Sequence, residues 1–60
     1  MNKAMIYQYC EVACERGDMI LYRESVSDPY WTAQDLKTGE MWSCHSIDEW
    51  VMLCEEREVK

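Results

Sequence analysis

The stretches that decide the fold of this chain are ERGDMIL at residues 15–21, SDPYWTA at residues 27–33 and LKTGE at residues 36–40. Each joins a turn signal to an apolar or aromatic run, because glycine, aspartate and proline tolerate or pre-set the backbone angles of turns. Thr38-Gly39 supplies a residue that accepts the positive φ of a tight hairpin. We therefore predict short strands over Met19–Glu24, Tyr30–Leu36 and Met41–Cys44.

The segments on either side of these strands are less uniform. The pattern of Ala4–Arg16 fits a helical face but also alternates acceptably as a strand, so both structures stay open there. Near the other end, Ser46 is followed three residues later by Glu49, which is a capping box and predicts the start of a helix. That helix either continues to about Glu56 or lasts one turn, with Val51–Cys54 as a final strand.

Length and charge limit the classes of function. Sixty residues predict a single small domain over 1–60. Twelve acidic and six basic residues give a net charge of −6, whereas a surface that binds nucleic acid directly is usually basic. We therefore expect no nucleic-acid binding, and a protein or peptide partner with a basic segment. No secretion signal and no run near the ~20 apolar residues of a membrane span are present, so we expect a cytoplasmic protein outside the membrane.

The motifs resemble the centre of a Src-homology-3 (SH3) domain. In that family a Gly-Asp turn precedes a strand, as Gly17-Asp18 precedes Met19–Tyr22. The family's W-W-x-A strand is similar to Tyr30–Ala33, and its L-x-T-G-E turn is similar to Leu36–Glu40. The resemblance implies a mainly β fold, a small SH3-like barrel of about five short antiparallel strands with a C-terminal helical turn or short helix. The alternative is an α+β fold with a helix, a three-stranded antiparallel sheet and a second helix.

The resemblance also implies where a partner binds. In the family, aromatic side chains from the first strand, the Trp pair and the final helical turn line the ligand groove. The residues at those positions are Tyr7, Tyr9, Tyr30 and Trp50. Nearby carboxylates, Asp28 and Glu49 among them, would favour a basic partner segment. Trp31 is opposite in phase to Tyr30, so we expect its ring to be structural.

The four cysteines are expected to be reduced and free of metal. Without a secretion signal, buried thiols are favoured over two disulfides. Cys10, Cys14, Cys44 and Cys54 form a candidate zinc set with His45, since tetrahedral zinc takes Cys and His ligands, but the sequence has no C-x2-C knuckle. Cys44 and His45 are also a poor nucleophile pair, because neighbours on a strand point apart. We therefore expect no cofactor and no catalytic activity.

Two functions follow from the sequence. The first is a non-catalytic protein–protein interaction module that binds through an exposed aromatic patch, with a homodimer as an open alternative. The second is a small acidic inhibitor, of the kind that phages encode, which blocks a host protein by imitating nucleic acid. Its acidic face would comprise six carboxylates, namely Glu11, Glu15, Asp18, Glu55, Glu56 and Glu58. Mimicry of this kind weakens steeply with ionic strength, and this dependence separates the two functions.

Overall fold

The computed structural model describes residues 2–58; residue 1 and residues 59–60 of the predicted domain lie outside the described residues. Six elements follow one another: α1 Lys3–Tyr9, β1 Glu11–Arg16, β2 Met19–Arg23, β3 Trp31–Asp35, β4 Met41–Cys44 and α2 Ile47–Glu58. The segment that the sequence left open is both helix and strand, because it divides at Cys10. In residues 2–58 no helix has the length and apolar character that crossing a membrane requires.

The four strands form one antiparallel sheet in the order β1-β2-β3-β4. Short turns join β1 to β2 and β3 to β4, and in each turn a glycine holds a positive φ, +60° at Gly17 and +85° at Gly39. Other residues are strained at such angles, which is why glycine stands at both positions. The three predicted strands are present as β2, β3 and β4, each within one residue of its predicted bounds.

The predicted barrel is wrong, because the sheet is open. Within residues 2–58, β1 and β4 are the two edges of the sheet and do not pair with each other. A barrel would need a last strand to close against the first, and the segment expected to supply it continues as the twelve-residue helix α2. The fold is α+β. The alternative with a three-stranded sheet is one strand short, since the N-terminal segment supplies β1 after α1.

The longer helix covers one side of the sheet, which we call the α2 face. The predicted Ser46–Glu49 capping box starts this helix: Ser46 Oγ accepts from the Glu49 N–H at 3.2 Å, while the Glu49 carboxylate reaches one residue beyond the N-cap and accepts from the His45 N–H at 2.6 Å. At its other end, Arg57 donates to Asp35 of β3 at 2.7 Å. The larger core lies between, and its buried members are Met19, Leu21, Ala33, Cys44, Trp50 and Cys54. The helix is thus held along its whole length.

The other side of the sheet, the α1 face, is covered only in part. The seven-residue helix α1 begins where Asn2 accepts a hydrogen bond from the Met5 N–H at 2.9 Å. Its one buried side chain is Ile6, which packs with Ile20 and Tyr22 of β2. So short a helix is not stable alone in water, so this contact holds it in place. It lies near β1, over the β1–β2 half of the sheet.

Candidate functional site

The half of the α1 face beyond α1 is formed by β3 and β4. Side chains alternate between the two faces along a strand. In β3, Trp31 and Ala33 pack in the core of the α2 face. Tyr30, directly before the strand, and Thr32 and Gln34 within it therefore project from the α1 face.

The same alternation orients β4. Trp42 and Cys44 pack in the core of the α2 face, so Met41 and Ser43 project from the α1 face. His45 continues this phase beyond the end of the strand, opposite Tyr30 in the register that pairs β3 with β4. The two strands therefore bring their exposed side chains to one surface.

The flank of α1 borders this surface with two more apolar side chains. Lys3 and Tyr7 contact Glu15 of the edge strand β1, through an ion pair and a hydrogen bond from the Tyr7 hydroxyl at 2.6 Å. Successive helix residues are rotated by about 100°. Met5 and Tyr9 therefore lie on the opposite flank, towards β3 and β4.

We call the surface formed by Met5, Tyr9, Tyr30, Met41 and His45 the shelf. Its four large apolar members are 43–65% exposed. The Tyr30 and His45 rings lie with centroids 4.6 Å apart and planes inclined at 39°, so each restrains the other. The shelf thus combines apolar contact area with a partly fixed aromatic pair.

Polar side chains lie between the members of the shelf. Gln34 is buried, and its Oε1 accepts from the Tyr22 hydroxyl at 2.9 Å. Burial raises the pKa of Tyr22, so this hydroxyl stays protonated and keeps donating. Thr32 and Ser43 are more accessible and carry free-rotating hydroxyls that can hydrogen-bond a ligand.

The structure brings some of the predicted partner-binding residues together and separates others. Tyr9 and Tyr30 both lie on the shelf. Tyr7 is 50% exposed but occupies the other flank of α1, where its hydroxyl is committed to Glu15. Asp28 lies in the β2–β3 loop and accepts from the Ser25 N–H at 3.2 Å. Glu49 caps α2.

Trp50 does not lie on an exposed patch, and the expectation that it shares one with Tyr30 is wrong. Its side chain is 4% exposed in the core beneath α2. The reason is the length of α2: with Cys54 one turn later, Trp50 belongs to the inward stripe of a full helix and not to a single turn. Its Nε1–H is buried without a hydrogen-bond partner among the described residues.

A groove of about 290 Å³ runs beside β4 on the α2 face. Trp42 and Cys44 of β4 and Met52 and Leu53 of α2 line it, and two carboxylates, Glu49 and Glu56, lie among them. The groove and the shelf therefore flank the same strand, one on each face of the sheet.

A larger open cavity, about 710 Å³, lies at the end of the sheet formed by the two glycine turns. Five of its seven charged lining residues are already paired: Arg57 binds Asp35 and Glu40, and Arg16 binds Glu58. Burial acts to raise the pKa of Asp35, but the Lys37 and Thr38 N–H groups and the Arg57 guanidinium outweigh it and hold that pKa below its usual value. A charged ligand could bind these five side chains only by displacing the pairs.

Half of the predicted acidic face is neutralised. Three of its six carboxylates form ion pairs: Glu11 with Arg23, Glu15 with Lys3 and Glu58 with Arg16. The acidic surface that the structure does present is the outer side of α2. The carboxylates there are Asp48, Glu49, Glu55 and Glu56, and they surround the exposed Met52.

The cysteines are four free thiols. Burial raises the pKa of each, so the reactive thiolate is disfavoured at neutral pH. Within residues 2–58, no three Cys, His, Asp or Glu side chains are placed to hold a metal ion. The absence of metal, cofactor and catalysis stays a prediction.

Three members of the shelf were missed from the sequence: Met5, Met41 and His45. The signal for Met41 and His45 was present, because a strand that buries Trp42 and Cys44 must turn its odd-numbered residues to the other face. Met5 is one helical turn from Tyr9, but this spacing carries information only once Lys3–Tyr9 is known to be a helix.

The chain matches no protein-family model, no curated protein and no solved structure. No relative therefore supports or contradicts the resemblance to the Src-homology-3 family.

Proposed function

We propose that this chain is a non-catalytic protein-binding module whose partner docks on the shelf. The observation that carries the proposal is that four exposed tyrosine and methionine side chains, from the β3–β4 hairpin and the adjoining flank of α1, border the half of the α1 face that α1 leaves open. Single exposed apolar side chains are ordinary on any protein. A contiguous group of them, bordered by polar residues, is typical of an interaction surface.

The chemistry of the shelf suits a protein ligand. Tyrosine and methionine are enriched at protein interfaces, because the aromatic ring is a large rigid plate and the thioether adapts its shape. The contact between Tyr30 and His45 orders the aromatic ring before a partner arrives, which reduces the entropy lost on binding. Thr32 and Ser43 add hydroxyl groups that can satisfy polar groups of the partner.

The first test maps the surface by photo-crosslinking. The crosslinking residue p-benzoylphenylalanine is placed at Tyr30 and, as a matched control, at Tyr7. The two tyrosines are similarly exposed, 54% and 50%, but only Tyr30 is on the shelf. In an extract of the cells that naturally contain the protein, we expect a defined adduct from Tyr30 alone, which excess unlabelled protein suppresses. The same adduct from both positions contradicts the proposal.

The second test uses the purified partner from that adduct. Truncating an interface hot spot typically weakens binding by at least about thirtyfold, or ~2 kcal/mol. We expect Tyr30→Ala and Met41→Ala to reach at least about tenfold each, with an unchanged circular dichroism spectrum, and Tyr7→Ala to bind within about twofold of the wild type. Normal binding by both shelf variants would sink the proposal.

The outer side of α2 favours a second candidate function, an acidic inhibitor that occupies the nucleic-acid site of a basic protein. Asp48, Glu55 and Glu56 have no ion-pair partner within residues 2–58. For this function, the double variant Asp48→Asn/Glu55→Gln, which leaves the groove carboxylates in place, should weaken binding and flatten its salt dependence, while Tyr30→Ala should leave both unchanged. The opposite result selects the shelf.

A further inference from the structure

The free edge of β4 presents unpaired backbone groups between the shelf and the groove. The Asp35 N–H donates to the Glu40 carbonyl at 2.9 Å, and hydrogen-bonded pairs alternate along an antiparallel ladder. In the observed register, Trp42 and Cys44 therefore bond to β3. The N–H and C=O groups of Met41 and Ser43 point away from the sheet, towards solvent.

The other edge of the sheet is protected and β4 is not. Charged side chains and β-bulges protect the edges of sheets from pairing with another strand. Strand β1 has both, with a bulge between Val12 and Cys14 and charged residues at Glu11, Glu15 and Arg16. Strand β4 reads Met-Trp-Ser-Cys, with no charge and a regular register.

We propose that the partner contributes an extended basic segment that pairs with β4 as a fifth strand of the sheet. This inference rests on the proposed function and describes how the partner is held. Side chains of an added strand would alternate between the two faces, so one set enters the groove and the other meets the shelf. The groove has an apolar lining with two carboxylates, Glu49 and Glu56, which select lysine or arginine in the set that enters it.

A second copy of this chain is a poorer occupant of the same edge. Antiparallel pairing of two β4 strands in one continuous sheet places both α2 helices on the same side, next to each other across the two-fold axis. The acidic groove of one copy would then meet the acidic groove of the other, between chains that each carry a net charge of −6. Like charges brought together in this way oppose association.

The probe for this mode is a blocked seven-residue peptide of alternating lysine and valine, titrated into the intact protein. We expect amide hydrogen exchange, followed by NMR, to slow by at least about tenfold at Met41 and Ser43, and to stay unchanged along β1. The same peptide methylated on alternate backbone nitrogens keeps the charge but loses the ladder, and should give no protection. A peptide of alternating glutamate and valine should not bind.

A matched pair of variants isolates the backbone contribution. Ser43→Pro removes the outward N–H and leaves the bonds to β3 intact, since proline is tolerated on edge strands. Ser43→Ala keeps that N–H and removes only the hydroxyl. Ser43→Ala is the reference for this comparison, and we expect Ser43→Pro to bind the peptide at least about fivefold more weakly than Ser43→Ala does. An unchanged spectrum for the amides of β3 shows that the proline variant is folded.

Three results would overturn the inference. The first is equal protection by the methylated peptide, which would mean charge attraction without a ladder. The second is protection of Met41 and Ser43 that rises with protein concentration in the absence of peptide, which would mean a second copy. The third is a purified partner that loses affinity for Tyr30→Ala but binds Ser43→Pro and Ser43→Ala alike. In that last case the shelf is the binding surface, and only the added strand is wrong.

Discussion

The two faces of the sheet differ in how completely a helix covers them. Helix α2, about 18 Å long at 1.5 Å per residue, is fixed by a capping box at one end and by the Arg57–Asp35 pair at the other. Helix α1, about 10 Å long, buries one side chain, Ile6, and its other contacts with the sheet, from Lys3 and Tyr7 to Glu15, are exposed. The α2 face is therefore a closed core beneath its helix, with the groove beside β4 at its margin, and the α1 face is half core and half surface.

Because of this difference, the side chains that stabilise the fold are not the ones that are available to bind a partner. Side chains buried beneath α2 hold the fold together, so a partner cannot reach them without unfolding the chain. Side chains on the open half of the α1 face contribute little to the core and are free to bind. The sequence predicted one patch containing both Trp50 and Tyr30. In the structure, Trp50 belongs to the buried core and Tyr30 to the exposed surface.

The largest expected effect is that of Trp50→Ala. Removing a buried tryptophan costs about 3–5 kcal/mol, and a 60-residue domain has a total stability of roughly 3–9 kcal/mol. We expect the variant to be largely unfolded, as measured by urea denaturation followed by circular dichroism. Tyr30→Ala, its counterpart on the shelf, should stay within about 0.5 kcal/mol of the wild type. A stable Trp50→Ala variant would mean that α2 does not close this face.

A smaller loss is expected from Ile6→Ala. This substitution removes the one side chain that α1 buries and should cost about 2–3 kcal/mol. Because so short a helix depends on tertiary contact, the amides of α1 should exchange rapidly while those of β2 and β3 stay protected. Met5→Ala, on the exposed flank of the same helix, should change neither. If α1 stayed protected in Ile6→Ala, something other than this contact would be holding it.

The sequence predicts the middle of the fold because its signals there are local. Gly17 and Gly39 adopt the positive φ that their turns require, and Ser46 caps α2 as its spacing with Glu49 predicts. These features depend on a few neighbouring residues. They are therefore predicted correctly even though the predicted barrel is wrong.

The rest of the fold and the candidate site depend on contacts between residues that are far apart in the sequence. Tyrosine favours strands, yet Tyr7 and Tyr9 lie in a helix. The reason is that Ile6 of this helix packs on Ile20 of β2 and Asn2 caps its first turn. The exposure of Trp50 was inferred from a family position, and it fails because α2 extends to Glu58. The shelf can be recognised only when α1 is known to be a helix and Trp50 is known to be buried.

The ionic contact that fastens α2 should show in the pH dependence of stability. The pKa of Asp35 is held below its usual value in the folded state, so its contribution is present above the unfolded pKa of about 3.9 and is lost as the pH falls through the folded pKa. We expect Asp35→Asn, which keeps an oxygen for the turn N–H groups, to lose about 1.5 kcal/mol at pH 7. Urea denaturation at several pH values should show this difference shrinking below about pH 4. A difference independent of pH would assign the effect to packing.

The ionic contact that fastens α1 is exposed, and its effect should be the smallest. Hydrogen bonds from Lys3 and Tyr7 lower the pKa of Glu15, but solvent screens such a contact and its effect on stability is minor. Tyr7→Phe should therefore leave the urea midpoint unchanged and raise the pKa of Glu15 towards its ordinary value, measured by NMR titration of the side-chain carboxyl. Tyr9→Phe, on the shelf side of the helix, should leave the Glu15 titration unaltered. If the Glu15 pKa does not move in Tyr7→Phe, the Tyr7 hydroxyl does not contact Glu15, and a different flank of α1 faces β1. Met5 and Tyr9 could then no longer be assigned to the shelf.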